Sequence, residues 1–162
     1  MPATYELINS ATVGAGGSST ISFTSIPQTF TDLVIKASLR GSTPTTTFAV
    51  QVNGTTVTSV MRFYGSGTSV ASDSFNEHYI DPSNYTADTF GNTELYFSHY
   101  RGNLIMSYLV DSVGENNAAL AYMNFGSNST GSSTAITSIS LIRTDGNFVQ
   151  HSTANLYGIS NA

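Results

Sequence analysis

The chain has 162 residues and a formal net charge of -5, and only 9% of its residues are charged, against about 25% in a typical protein. It has no Cys, which excludes a disulfide framework and a thiolate zinc site, and its five basic residues are scattered singly, which disfavours nucleic acid and anionic membranes as partners. The 24 Ser and 22 Thr residues supply most of the polarity, and we expect one packed domain over residues 1–162 with no membrane span.

The first part of the chain predicts β-strands, because short runs of alternating apolar and polar residues are separated by Gly, Ser, Asn and Pro. After a short arm at residues 1–5, we expect strands at 5–8, 20–26 and 33–40. The third of these is the clearest. Its apolar residues alternate with Lys36, Ser38 and Arg40, a pattern typical of a strand with one buried and one wet face.

The best local prediction is a β-hairpin at Asn53-Gly54, since this dipeptide suits the two positive φ angles of a type I′ turn. A two-residue loop there pairs Val52 with Thr55. Extending the same register predicts that one apolar face is shared by residues on both sides of the turn, namely Phe48, Val50, Val52, Val57, Met61 and Phe63.

Residues 65–92 are rich in turn residues and predict a long loop excursion with a short strand near 76–80. Three aromatic residues, Tyr79, Tyr85 and Phe90, lie in this excursion and are the candidate contact residues. Aromatic rings in a loop can stack on sugars or enter a neighbour's pocket. They can equally pack the loop back onto the domain, and the sequence leaves both possibilities open.

The second half of the chain predicts strands at 93–100, 104–113, 118–125, 135–143 and 155–159, with a polar loop at 126–134. The strand at 104–113 is apolar on both faces, which fits a central strand or a strand whose second face meets a partner. The chain then has nine or ten strands. We therefore predict an all-β, single-domain antiparallel β-sandwich, jelly-roll-like in arrangement.

Residues with catalytic or metal-binding chemistry are few and poorly grouped. The densest group is Asp73, Glu77, His78 and Asp81, whose spacing fits no metal-binding motif. No G-x-S-x-G nucleophile elbow occurs. We predict no catalytic, cofactor-binding or metal-binding residues and no enzymatic activity. A hydrolase that uses Asp73, Glu77 and Asp81 is the alternative from the enzyme class.

Five segments follow one another in a recognisable order: ATYELI at 3–8, ISFTSIPQTFTDLVI at 21–35, VNG at 52–54, ITSISL at 136–141 and LYGI at 156–159. Together they resemble a family of tailed-phage virion proteins, found in marine and freshwater phages including cyanophages. The specific part is the pattern F-x-x-I-P-x-x-[FY]-T-D-L within residues 21–35, and the other segments are weaker matches. The resemblance covers nearly the whole chain, and the variable region of the family falls around residues 60–92.

The resemblance implies a structural role in the virion and supplies no catalytic residues. It leads us to expect a capsid decoration, or cement, protein that binds the outer face of the major capsid protein and self-associates as a homotrimer. The alternative is a tail fibre or spike module that recognises a host surface glycan through Tyr79, Tyr85 and Phe90. Neither role implies a cofactor, a nucleic acid or a membrane.

Overall fold

A computed structural model of the chain describes residues 4–45, 47–74, 77–116 and 120–160. These residues form thirteen β-strands and no helix, and hence no helix capable of crossing a membrane. The strands are β1 Tyr5–Thr12, β2 Thr20–Phe23, β3 Asp32–Leu39, β4 Thr47–Val52, β5 Thr55–Thr56, β6 Ser59–Ser66, β7 Ser69–Asp73, β8 His78–Tyr79, β9 Gly91–Phe97, β10 Ser107–Asn116, β11 Leu120–Ser129, β12 Ile139–Ile142 and β13 Thr153–Ile159.

The strands form two antiparallel sheets, as the period-two pattern predicted. The large sheet has eight strands in the order β1-β13-β3-β9-β10-β11-β6-β7. The small sheet has the order β2-β12-β4-β5, and β8 pairs with the first two residues of β4. The prediction of an all-β sandwich is confirmed. The strand total exceeds nine or ten because β5 and β8 have two residues each and β7 lies where a loop was expected.

The core lies between the sheets and follows the alternation of the strands. In β3, Leu33, Ile35 and Leu39 are each fully buried and face the small sheet, whereas Lys36 is exposed on the opposite face. Val50 and Leu141 face them from the small sheet and are equally buried. Burying an aliphatic side chain of this size stabilises the fold by about 1.5–3 kcal/mol, so this paired alternation is the main source of cohesion.

The hairpin at Asn53-Gly54 is confirmed. Both residues have positive φ, 50° and 80°, and Val52 pairs with Thr55 as expected. The extension of that register is wrong beyond Val57. The chain leaves the small sheet after β5 and crosses to the large sheet as β6, so Met61 and Phe63 do not share the core face of Phe48, Val50 and Val52.

Other strands differ from expectation at their ends. β10 starts at Ser107, so Leu104 and Ile105 precede it in an exposed turn, and β11 continues through residues predicted as a polar loop. Within 65–92, residues 69–73 form β7 and residues 78–79 form β8, whereas residues 80–90 connect to β9 without a strand. Polar runs such as SVASD give no apolar alternation, which is why the sequence pattern missed β7.

Candidate interaction surface

The outer face of the large sheet, which points away from the small sheet, differs between its two halves. On β3 and β9 it carries the exposed Lys36 and the half-buried Glu94, whose charged atoms are 3.1 Å apart. On β10, β11, β6 and β7 it carries apolar side chains that are exposed. We call this set the apolar face; its members are Met61 (66% exposed), Phe63 (56%), Val70 (84%), Leu109 (45%), Val113 (48%), Met123 (57%) and Phe125 (49%).

The strand registers bring the residues of the apolar face together. Phe125 on β11 lies directly opposite Phe63 on β6, and Met123 lies opposite Val113 on β10. Residues directly opposite on one face have Cβ atoms roughly 4.5–5.5 Å apart, so these side chains form adjoining rows. Val70 extends the second row onto β7, because it pairs with Gly65, which pairs with Met123.

The area of the apolar face is large for a protein of this size. From their exposed fractions, the seven side chains present roughly 700 Å² to solvent, whereas the largest apolar patch on a typical monomer is about 300–600 Å². One partner of a standard protein–protein interface buries about 800 Å². The apolar face therefore has the size and composition of the buried centre of an interface.

A row of charged side chains runs across the strands and meets the apolar face on β10. Asp111 on β10 lies opposite Glu94 on β9, which in turn lies opposite Lys36 on β3. The hydrogen bond and the charge of Glu94 raise the pKa of Lys36 above its ordinary value. Asp111 therefore faces a like charge that Lys36 only partly offsets. On its other side Asp111 lies directly opposite Phe125, so this charged row ends against the apolar face rather than running along its border.

An ion pair beneath the apolar face holds β7 against β6. The Arg62 guanidinium, 5% exposed, donates from Nε and Nη2 to the two carboxylate oxygens of Asp73 at 2.6 and 2.9 Å. The rings of Tyr64 and Tyr79 each lie 5.0 Å from the Arg62 Cζ atom. The hydrogen bond from Arg62 lowers the pKa of Asp73. This bidentate geometry fixes the hairpin that carries Met61, Phe63 and Val70.

The three predicted contact residues are half-buried, and Tyr79 lies beside this ion pair. The rings of Tyr79 and Tyr85 stack on Tyr122, with centroids 5.6 and 6.3 Å apart and interplanar angles of 27° and 22°. Burial raises the pKa of Tyr85 to about 12. Phe90 is half-buried at the end of the same connection. One face of each of these two rings is thus turned toward another side chain of the same chain.

The four candidate metal or acid–base residues are not brought together. Asp73 binds Arg62, the carboxylate of Glu77 accepts a hydrogen bond from the Thr47 hydroxyl, and His78 Nε2 lies 2.9 Å from the hydroxyl of the buried Tyr108. The carboxyl group of Asp81 lies against the backbone at Gly91 and Gly114. Across the described ranges, no group of three or more His, Asp or Glu residues could hold a metal ion.

Sequence reasoning missed the apolar face in part. It placed Met61 and Phe63 in the core, although it identified β10 as apolar on both faces and named a partner as one explanation. The missing information was that β6 joins β11 rather than β4, which only the tertiary pairing decides. Comparisons with known protein families, with curated proteins and with solved structures find no match to this chain.

Proposed function

We propose that this chain is a structural protein of a phage virion, a capsid decoration protein that binds the outer surface of the major capsid protein through its apolar face. The observation that carries the proposal is the exposed apolar face of β10, β11, β6 and β7. Surfaces of this size and composition mark sites of protein association. The resemblance of residues 21–35 to tailed-phage virion proteins supplies the identity of the partner.

The chemistry of the apolar face favours a protein over a glycan. Sugars are bound by hydrogen-bonding side chains arranged around an aromatic ring, whereas the apolar face offers phenyl, thioether and aliphatic groups that form no strong hydrogen bonds. A sheet face is also shallow, which suits a flat protein surface better than a small ligand that needs a concave pocket. Self-association is part of the proposal; the resemblance implies a homotrimer, and the mass measurement described in the next subsection distinguishes a trimer from a dimer.

The first test of the proposal is whether the protein is present in the virion and in how many copies. Purified virions should contain the protein in hundreds of copies, counted by quantitative mass spectrometry against the major capsid protein. A handful of copies, recovered with the tail fraction, together with binding to a glycan array, would refute decoration and support the tail fibre or spike alternative.

The second test addresses the apolar face itself. Phe63 and Phe125 are each about half exposed, so docking would bury about 110 Å² of each side chain. At about 25 cal/mol per Å², replacing either Phe by Ser would make the free energy of binding less favourable by about 3 kcal/mol. We expect Phe63→Ser and Phe125→Ser each to weaken binding to particles that lack the protein by about a hundredfold.

The matched control is Leu7→Ser. Leu7 is 54% exposed on the same sheet but on β1, at the opposite edge. We expect Leu7→Ser to bind like the unaltered protein. Equal binding by all three variants would show that the apolar face is not the docking surface. Circular dichroism of each variant verifies that the sheet structure is retained.

A further inference from the structure

The edge strand β7 ends the large sheet on the side of the apolar face. β7 is the last strand of the large sheet and, within the described residues, pairs only with β6. All five of its residues are exposed, and Val70 is 84% exposed. An edge strand of this kind presents a row of backbone N–H and C=O groups that can pair with another chain.

The geometry of the β6–β7 hairpin decides which backbone groups are free. Ser66 pairs with Ser69 across a two-residue loop, and Gly67 at the first loop position has a φ of 57°. The two residues that flank such a loop exchange hydrogen bonds, and bonded and non-bonded pairs then alternate along the ladder. By this alternation Ser69, Ala71 and Asp73 bond to β6. The N–H and C=O groups of Val70 and Ser72 therefore point to the open edge.

β7 also lacks most of the features that protect edge strands from pairing. It contains no Pro, no Lys and no register shift in its pairing with β6, and its one charged residue, Asp73, is already paired with Arg62. The opposite edge strand, β1, does have a register shift between Leu7 and Asn9, which interrupts a regular edge. Bulges and charged residues are the usual means of blocking edge-to-edge association. Of the two edges of the large sheet, β7 is thus the one left regular.

We propose that two copies of this chain pair through β7, antiparallel to one another, about a twofold axis that passes midway between the two Ala71 residues. In this register Val70 of each copy lies opposite Ser72 of the other. Both outward-pointing residues are then used, and each Val70–Ser72 pair exchanges two hydrogen bonds. A twofold axis gives the same surface on both subunits, the most common symmetry of homodimers.

The charges of β7 fit this register. Asp73 of one copy lies opposite Ser69 of the other, so a carboxylate meets a hydroxyl group rather than a second carboxylate. A register centred on Ser72 would use fewer of the outward-pointing residues of β7. A register centred on Asp73 would place the two Asp73 carboxylates opposite each other. Because Asp73 is already paired with Arg62, its charge adds little repulsion in the register centred on Ala71.

The pairing extends the apolar face. A twofold axis between antiparallel strands stands perpendicular to the sheet, so the outer faces of both copies lie on the same side. The two eight-stranded sheets become continuous. Val70 of each copy then lies diagonally across from Val70 of the other, at the centre of a surface twice the size of one apolar face. This dimer goes beyond the decoration proposal and does not depend on it.

The experiment is light scattering of the full chain from about 10 µM to about 1 mM, a range suited to a small interface. We expect the mass to rise from 17.1 kDa toward twice that value. Ser72→Pro removes an outward N–H without breaking a bond to β6 and should remain monomeric. Ser72→Thr, the matched control, keeps that N–H and should dimerise like the unaltered chain.

Amide hydrogen exchange of the unaltered chain gives a second readout that does not depend on the folding of Ser72→Pro. The amides of Val70 and Ser72 should exchange at least about tenfold more slowly at the dimeric concentration than at the monomeric one, whereas Ala71 should be protected at both. A mass of three chains, a monomer throughout the range, dimerisation of folded Ser72→Pro, or unprotected Val70 and Ser72 amides in the dimer would each overturn the pairing. Copy number in virions decides the decoration proposal separately.

Discussion

Arg40 organises the connection that precedes β9 from a buried position. It is 8% exposed, and its guanidinium donates four hydrogen bonds to backbone carbonyls. The acceptors are Thr86 at 2.6 Å, Thr89 at 2.8 Å, and Ser83 and Tyr85 at 3.1 Å each. Arg40→Met keeps the apolar stem of the side chain and removes all four donors.

The stability lost in Arg40→Met depends on how the connection that precedes β9 responds to the missing hydrogen bonds. Each hydrogen bond from a charged donor contributes about 1.5–3 kcal/mol, but the acceptors belong to a surface connection that can turn its carbonyls to water. The cost is therefore limited to opening the segment, and we expect the free energy of unfolding to fall by about 3 kcal/mol. In a domain of this size, that lowers Tm by about 6–12 °C.

The assay combines thermal unfolding with limited chymotrypsin digestion. In Arg40→Met, cleavage should appear after Tyr85 and Phe90 before the rest of the domain is cut. The control is Lys36→Met, which removes an exposed cation with one ion-pair partner, Glu94, and should cost less than about 1 kcal/mol. If Arg40→Met digests and melts like Lys36→Met, Arg40 does not hold this connection.

Two further predictions concern buried positions. Burial, together with the nearby charge of Arg62, lowers the pKa of His78 to about 3, so between about pH 6.5 and 3 the unfolded chain binds the proton and the folded chain does not. The free energy of unfolding should fall as the pH drops through this window, by up to about 5 kcal/mol. In urea unfolding between about pH 4.5 and 6.5, His78→Gln should make the free energy of unfolding less dependent on pH. An unchanged pH dependence would contradict the role of His78. Gly158→Ala places a Cβ in steric overlap with the Phe30 ring and should lower the free energy of unfolding by about 1–3 kcal/mol. Gly16→Ala, with no atom within 4 Å of its Cβ, should leave Tm unchanged, and equal Tm values for the two variants would refute the steric argument.

The sequence pattern reached the correct fold class because the alternation of a strand is local. Leu33, Ile35 and Leu39 alternate with Lys36 whatever lies opposite them, and Asn53-Gly54 suits positive φ angles because of its own residue types. The register near such a turn follows in the same way. This local information failed at β7, whose residues are nearly all polar or small.

The apolar face could not be predicted from the sequence alone, because it depends on pairing between strands that are distant in the chain. Met61 and Phe63 have the same alternation whether β6 follows β5 in the small sheet or joins β11 in the large one, and only the second arrangement exposes them. A period-two pattern separates the two faces of a strand but does not state which face is covered.

The amino-acid sequence by itself determined that this chain forms strands, where most of them lie and how its one Asn-Gly hairpin turns, because these properties arise within a few residues. Only the tertiary structure decided that four neighbouring strands present an apolar face to solvent and that β7 leaves a regular edge. Both features depend on which strands become neighbours, and that choice is made by the packing of the whole domain.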